Sequence, residues 1–369
     1  MASSVYFGSI RSRSCEDSLL AKVDRLFERV GARDFISPDS LVAIKVHFGE
    51  PGNTAYVKPI YIRQIVDRVR DLGAKPFITD ANTLYVGGRC NSVDHLNTAI
   101  RHGFDYSSVN APLIIADGLR GREFVTVPID QENLKEAKVA RAIFEADSLI
   151  GVAHVHGHEL FGFGACIKNI GMGCASRGGK QIMHSGLLPA IDESRCQGCG
   201  ECVKWCPAEA ITIHEKKAKI DPKKCFGCGE CTISCTNGAV RIVWDNSNER
   251  IQQKTAEFCL GVLKNKQKKS AFFNFLINVT PDCNCCSYSD ASIVPDVGIL
   301  ASTDPVAIDQ TAIDLVNSQP GNPNSALKRN RRPGQDKFRG INPDIDYRII
   351  LRYGEEIVLG SREYELIEV

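Results

Sequence analysis

No apolar run in this chain approaches the roughly 18–20 residues of a membrane helix, and its opening stretch, MASSVYFGSIRSRSCEDS, lacks the apolar core of a secretory signal. No membrane span is expected, and the cytoplasm is the expected location. Charge of one sign is also missing. The 45 basic and 44 acidic side chains leave a formal net charge of +1, so no global field would draw the protein to nucleic acid or to an anionic membrane. There is no G-x-G-x-x-G and no GK[ST] sequence, which removes the usual dinucleotide and P-loop fingerprints.

Cysteine, by contrast, is abundant, with 16 residues in 369. In a reducing compartment so many thiols point to metal ligation rather than to a disulfide framework, which belongs mainly to small secreted domains. The remaining composition, 43% hydrophobic and 24% charged, is that of an ordinary globular protein long enough for more than one folded unit.

Residues 41–48, LVAIKVHF, have the apolar density of a buried strand. A turn-rich GEPGNT follows, then an amphipathic helix over 59–71 with Pro59 in its first turn, then a second strand at AKPFITD. Strand, helix and strand in that order imply a right-handed parallel crossover, and hence an α/β fold with a mostly parallel sheet of doubly wound type. Further strands are expected at 112–117, 124–129, 148–155, 272–280 and 297–302. Helices are expected at 134–146, 249–263 and 305–316, with Asp304 as N-cap of the last. Residues 317–345 read as a long surface loop, YRIILRYGEEIVLG near the carboxyl end as a strand hairpin, and the lysine run at 264–269 as a solvated helix end. The expected organisation is an α/β unit, in one or two lobes, built from residues 1–190 and 246–369 and interrupted by a small α+β insert at 191–245.

The insert carries an internal repeat. RCQGCGECVKWCPAEAI, from Arg195, returns 29 residues later as KCFGCGECTISCTNGAV, from Lys224. Each copy contains C-x-x-C-x-x-C-x-x-x-C, in which three close thiolates wrap one face of a cubane while the fourth reaches a second cluster. Two [4Fe-4S] clusters are therefore expected, one held by Cys196, Cys199, Cys202 and Cys235, the other by Cys225, Cys228, Cys231 and Cys206. The spacing resembles bacterial ferredoxins, although Thr236 stands where their second proline would be. Zinc is the rival metal, since C-x-x-C pairs also build zinc sites.

Outside the insert, HVHGHELFGFGACIKNIGMGCASRGGKQIMH follows an expected strand. His154, His156 and His158 alternate and would share one face of an extended chain, as ligands or proton donors do; their bland role is an exposed histidine edge. Lys168, among glycines and apolar residues, is a candidate for anion binding or covalent chemistry. Arg177 and Lys180 suit a phosphate or carboxylate, as do Lys45, His47, Lys58 and Arg89 around the GEPGNT and TDANTLYVGGR turns. Asp80 at a strand end is a candidate base or ligand, with a capping Asp as its bland role. Cys283, Cys285 and Cys286, with Cys174, are candidates for a third metal or cluster site; a redox dithiol and plain buried cysteines remain open beside it.

KVHFGEPGNTAYV, TDANTLYVGGR, GHELFGFGACIKNIGMG, the DCNCC segment and STDPVAID resemble the iron–sulfur proteins of the family called domain of unknown function 362, over nearly the whole chain. GHELFGFGACIK is also similar to the glycine-rich lysine loop of lactate racemase, in which a lysine carries a nickel-pincer nucleotide between histidines. That likeness gives His158, Lys168 and His184 as the corresponding trio and implies a pocket of organic- or nucleotide-cofactor size. The function expected from all this is electron transfer through two clusters to a small anionic substrate or cofactor, with a redox partner protein. The alternatives are a carrier with no substrate of its own and a racemase-like enzyme.

Overall fold

A computed structural model of the chain describes residues 2–184, 189–206, 208–225, 230–241 and 248–369. Its centre is an eight-stranded sheet in the spatial order Tyr364–Glu368, Ser3–Ser9, Gly298–Ser302, Ser270–Leu276, Ser148–His154, Leu41–Lys45, Lys75–Asp80, Leu113–Ile115. From Ser270–Leu276 to Leu113–Ile115 every neighbouring pair is parallel, as is the pair of Ser3–Ser9 with Tyr364–Glu368. Gly298–Ser302 runs antiparallel to both its neighbours. The fold is thus α/β with a mostly parallel sheet.

Side chains alternate across the pleat, so each strand feeds two cores. Val42, Ile44, Ile150, Val152 and Phe273 pack with Val23, Ile62 and Ile65 from helices Leu19–Arg29 and Pro59–Asp71. Ala43, Leu149 and Phe272 pack on the other side with Ile167, Phe258 and Ile308 from helices Cys166–Gly171, Asn248–Leu263 and Pro305–Ser318. Covering both faces in this way is what allows near-continuous apolar strands.

Four expectations are corrected. The helix expected over 134–146 is instead the strand Glu136–Ala140, paired antiparallel with Phe124–Pro128, followed by a short helix, Arg141–Glu145. Its apolar spacing fits either period, and the cross-strand partners decide the outcome. The expected carboxyl hairpin is a helix, Ile349–Glu356, that buries Ile350, Leu351 and Gly354 at i, i+1, i+4 spacing; only Tyr364–Glu368 is a strand. The 317–345 loop contains the helix Lys337–Ile341 and buries Leu327 and Phe338. In the lysine run, Lys266 is not solvated: its ammonium is buried and donates to the Phe144 carbonyl at 2.8 Å.

Candidate functional site

Lys45, Asp80 and His154 are the last residues of three adjacent parallel strands. The turns leaving those strands, and the one leaving Ser270–Leu276, meet around a cavity of about 160 Å³. It lies at the carboxyl edge of the sheet, where open α/β folds bind ligands. Of the sequence candidates, Lys168, His154, His156, His158, His184, Lys180, Arg89 and Cys285 line it, whereas Lys45, Arg177, Cys174, Cys283 and Cys286 do not.

Two of the cations expected to hold an anionic ligand are already paired. Lys45 contacts Asp80 at 3.0 Å, and Arg89 bridges Glu50 at 2.9 Å and Asp80 at 3.3 Å. Lys45 also donates to Asn169 Oδ1 at 2.8 Å, tying the first strand to the lysine helix. Asp80 is therefore no helix cap; it is the buried counter-ion of this wall, with His95 Nε2 3.5 Å away. Burial alone would raise its pKa, but Lys45 and the other positive neighbours hold it well below the ordinary carboxylate value. Sequence reasoning missed Glu50 and Tyr85, whose hydroxyl receives an Arg89 Nη2–H at 2.6 Å. Their one sequence signal is their place in the GEPGNT and TDANTLYVGGR turns beside Arg89.

Lys168 sits on the short helix Cys166–Gly171, which the STDPVAID segment anchors from below. Asp304 caps its own helix through Val306 and Ala307 N–H groups at 2.8 and 2.9 Å. Asp309, one turn on, accepts the Cys166 and Ile167 N–H groups at 2.8 and 2.9 Å and so fixes the start of the lysine helix. Burial pushes the Asp309 pKa up to about 7. Burial brings Lys168 down to about 8, with Arg89 and Lys45 adding repulsion. Lys180 is likewise lowered to about 8 by burial, and its ammonium donates to the Ala175 carbonyl. Arg177 is buried beneath Gly121, away from the cavity, with Nη1 3.4 Å from the Arg120 carbonyl.

The three alternating histidines are all buried, and their backbone bonds assign them different roles. His154 is pinned from both ring nitrogens, by Asn284 at 3.0 Å and by the carbonyls of Ile277 and Asn278 at 3.1 and 2.9 Å. It fastens the strand to the cysteine turn. His156 donates Nδ1–H to the Gly157 carbonyl at 2.6 Å, leaving Nε2 with its lone pair. His158 accepts N–H groups from Leu160 and Phe161 at Nδ1, at 3.0 and 3.3 Å, so its proton sits on Nε2. Burial first, then the charge of Lys168, holds His156 and His158 well below the ordinary histidine pKa and takes His184 to about 3. At neutral pH the site therefore offers a neutral imidazole acceptor and a neutral imidazole donor side by side.

The cysteine turn closes the cavity. Gly157 N–H bonds the Thr280 carbonyl at 2.8 Å, and a Cβ at Gly157 would stand 2.2 Å from the Pro281 carbonyl oxygen, so only glycine admits this approach. Cys283 and Cys285 are joined as a disulfide. Cys283 Sγ lies 3.3 Å from Lys168 Nζ, and Cys285 Sγ lies 3.8 Å from His47 Nε2. His47, Cys283 and Cys285 place ligand-type atoms within 4.8 Å of one another, close enough for one metal ion. Cys174, expected to complete such a site, is instead buried near Asn169, its Sγ 4.0 Å from that carbonyl, and Cys286 lies outside the group. His47 takes the place expected for Cys174.

In the inserted segment, Cys196, Cys199, Cys202 and Cys235 line one small hollow with Gly198 and Gly200. Both glycines have positive φ, 66° and 80°, which lets the chain wrap tightly around the thiols. Backbone N–H groups point at sulfur: Ala218 to Cys196 at 3.3 Å, Ala210 to Cys206 at 3.3 Å, Ala239 to Cys235 at 3.2 Å. The last two are the same i, i+4 contact in the two repeats. Burial, then the fields of Cys235, Cys196 and Cys199, raise the Cys202 thiol pKa, the repulsion expected of thiols gathered to share a ligand. Of the second set, Cys206, Cys225 and Cys231 are described, and Cys228 lies outside the described residues.

A family model described as "Domain of unknown function (DUF362)" matches residues 42–314, most of the chain. The chain belongs to this family. No curated protein matches it. Among solved structures, this DUF362 chain is similar to the lactate racemase apoprotein of Thermoanaerobacterium thermosaccharolyticum, at 13% identity and a TM-score of 0.42, over 87% of this chain and 59% of that one. A Thermotoga maritima protein is similar at 12% identity and a TM-score of 0.33, over 70% of this chain and 50% of that one. The chain thus spans 59% of the length of the first structure and 50% of the second.

Proposed function

We propose that this DUF362 protein is an iron–sulfur oxidoreductase, in which two [4Fe-4S] clusters in the inserted segment carry electrons to a small anionic substrate or organic cofactor in the cavity. The observation that carries this reading is the gathering of Cys196, Cys199, Cys202 and Cys235 around one hollow with N–H groups aimed at sulfur. Four thiols of one kind suit a cubane, and amide dipoles toward sulfur are what stabilise added negative charge. The bound clusters would supply one-electron steps; the chain's own residues do the rest. Lys168 and Lys180 offer cationic donors to an anionic ligand, His158 offers an Nε2–H, and His156 offers a lone pair that can take up or return a proton. A redox partner protein in the cytoplasm would charge the clusters.

Anaerobic purification followed by iron and sulfide determination tests this directly. We expect about eight of each per chain, and a paramagnetic signal on dithionite reduction, by the ligand count of two cubanes. Colourless protein holding zinc alone would overturn it. A second reading, a racemase-like enzyme with a lysine-held nickel-pincer cofactor, is favoured by one observation: Lys168, His158 and His184 line the same cavity. It requires nickel in the purified protein.

A further inference from the structure

The cysteine turn carries chemistry that neither reading uses. Its two sulfurs are unequal: Cys283 is 1% exposed and sits behind the cavity wall, while Cys285 lines the cavity and is half-buried. Each sulfur has its own polar hydrogen. Cys283 Sγ accepts from the Lys168 ammonium and from the Cys285 backbone N–H, both at 3.3 Å. On the other side, His47 Nδ1 accepts the Gly49 N–H at 3.0 Å, which places the imidazole proton on Nε2, facing Cys285 Sγ at 3.8 Å. A protonated Nε2 is a donor to sulfur and no metal ligand. The arrangement therefore favours sulfur redox chemistry over a Cys-Cys-His metal site, which would need that nitrogen's lone pair.

We propose that Cys283 and Cys285 are a redox-active pair that reduces a small disulfide-containing substrate in the cavity, Cys285 attacking and Cys283 resolving. In the first half of the cycle the Cys283–Cys285 bond breaks as the pair takes up two electrons and two protons. The electrons arrive singly through the clusters of the inserted segment, so this source rests on the reading above. In the second half, Cys285 thiolate attacks one sulfur of the substrate and expels the other as a thiolate. Cys283 thiolate then attacks Cys285 Sγ, re-forms the protein disulfide and expels the second substrate thiolate. The two protons held by the pair pass to the two released thiolates. The Lys168 ammonium steadies Cys283 as a thiolate and His47 Nε2–H steadies Cys285, so each sulfur can act as nucleophile or leaving group in turn.

Hydroxyethyl disulfide is a probe small enough for the cavity. Anaerobic holoprotein is charged with dithionite, freed of excess reductant, mixed with the probe, and scored for 2-mercaptoethanol released and for the mass of the 270–328 tryptic peptide. Wild type should release two thiols per chain in one turnover. Cys283→Ser should release one and retain the other as a mixed disulfide on Cys285, a positive mass signature that any folded variant displays. Cys285→Ser should lose at least ten-fold in rate. Release unchanged in Cys285→Ser, no mixed disulfide in Cys283→Ser, or a stoichiometric metal shielding both thiols from alkylation would overturn the proposal. Charging with dithiothreitol bypasses the clusters. Activity after dithiothreitol but not after dithionite, in protein without iron and sulfide, would sink the cluster reading and leave the thiol pair standing.

Discussion

Along the carboxyl edge of the sheet, Asp80 and Arg89 line the cavity and touch each other, Lys45 and His95 back them through Asp80, and every one of these groups is buried. In the inserted segment, by contrast, the thiols of Cys196, Cys206 and Cys235 are only half-buried, and each receives one backbone N–H. The first region holds its reactive groups with charges and hydrogen bonds of its own. The second has a small core in which Cys202 and Cys231 stand beside Ile211, Ala218 and Val240, so the thiols themselves fill much of the interior. A core that small stabilises little without a cross-link or a metal. The difference gives an expectation: the cavity is preformed, while the proposed clusters would stabilise residues 189–241 far more than the sheet.

The hardest blow to the preformed half would be Arg89→Met. It leaves Glu50 and Asp80 as buried carboxylates short of a counter-ion, which should cost about 3–5 kcal/mol. Thermal unfolding of the α/β body would report it, and a loss below about 1 kcal/mol would show that the ion-pair wall is not what fixes the cavity. The same wall sets a pH dependence. Asp80 has its folded pKa depressed, so its contribution is full above the unfolded carboxylate value and disappears as pH falls through the folded one.

Next in size is the reactivity of Lys168. With its pKa lowered to about 8, the fraction of neutral amine near pH 7.5 should exceed that of an ordinary lysine by roughly a hundred-fold, since each pKa unit is a factor of ten. Amine-selective acylation across pH 6–10, read residue by residue by mass spectrometry, should give a midpoint near 8 for Lys168. A midpoint at the surface-lysine value of about 10.4 would mean that the cavity is wetter than its burial suggests. The sign for stability follows. Burial of Lys168 penalises folding below pH 8, and the penalty fades as pH rises toward the unfolded lysine value.

Stripping the clusters proposed for residues 189–241 should separate the two regions cleanly. Amide exchange in 189–241 should rise sharply, whereas the sheet around Ser148–His154 should keep its protection. Equal loss in both would show that the insert and the body fold as one unit.

How much of this could be read beforehand follows the same divide. The parallel strands were legible because they are buried on both faces and nearly continuous in apolar residues, and Pro59 and Asp304 mark helix starts in any context. The cysteine repeat was legible because spacing alone encodes it. The ion-pair wall was not. Lys45 and Arg89 look like anion binders until Asp80 and Glu50, from other turns, are placed beside them. Nor was Asp309, since nothing local says that a helix residue caps a different helix 140 or so positions away in the chain, a contact only tertiary structure creates. The strand at Glu136–Ala140 and the helix at Ile349–Glu356 were misread for a related reason: short apolar runs fit both periods, and the partner surface selects between them.

The smallest expected effect concerns how the two regions touch. The Arg120 guanidinium lies 3.9 Å from the Trp205 ring centroid, and Arg122 Nη2 donates to the Trp205 carbonyl at 3.0 Å. Trp205→Ala removes the ring but keeps the carbonyl, so it should cost only the stacked cation, about 0.5–1 kcal/mol at a half-buried site. Because Trp205 immediately precedes Cys206, a looser attachment would let the insert move against the body without losing a thiol. Limited proteolysis should then cut faster within 189–241 while the proposed clusters, read as iron and sulfide, are held as in the unsubstituted protein. A variant that loses metal along with protease resistance would show that Trp205 holds the thiols in place, and that the insert's geometry is imposed by the body after all.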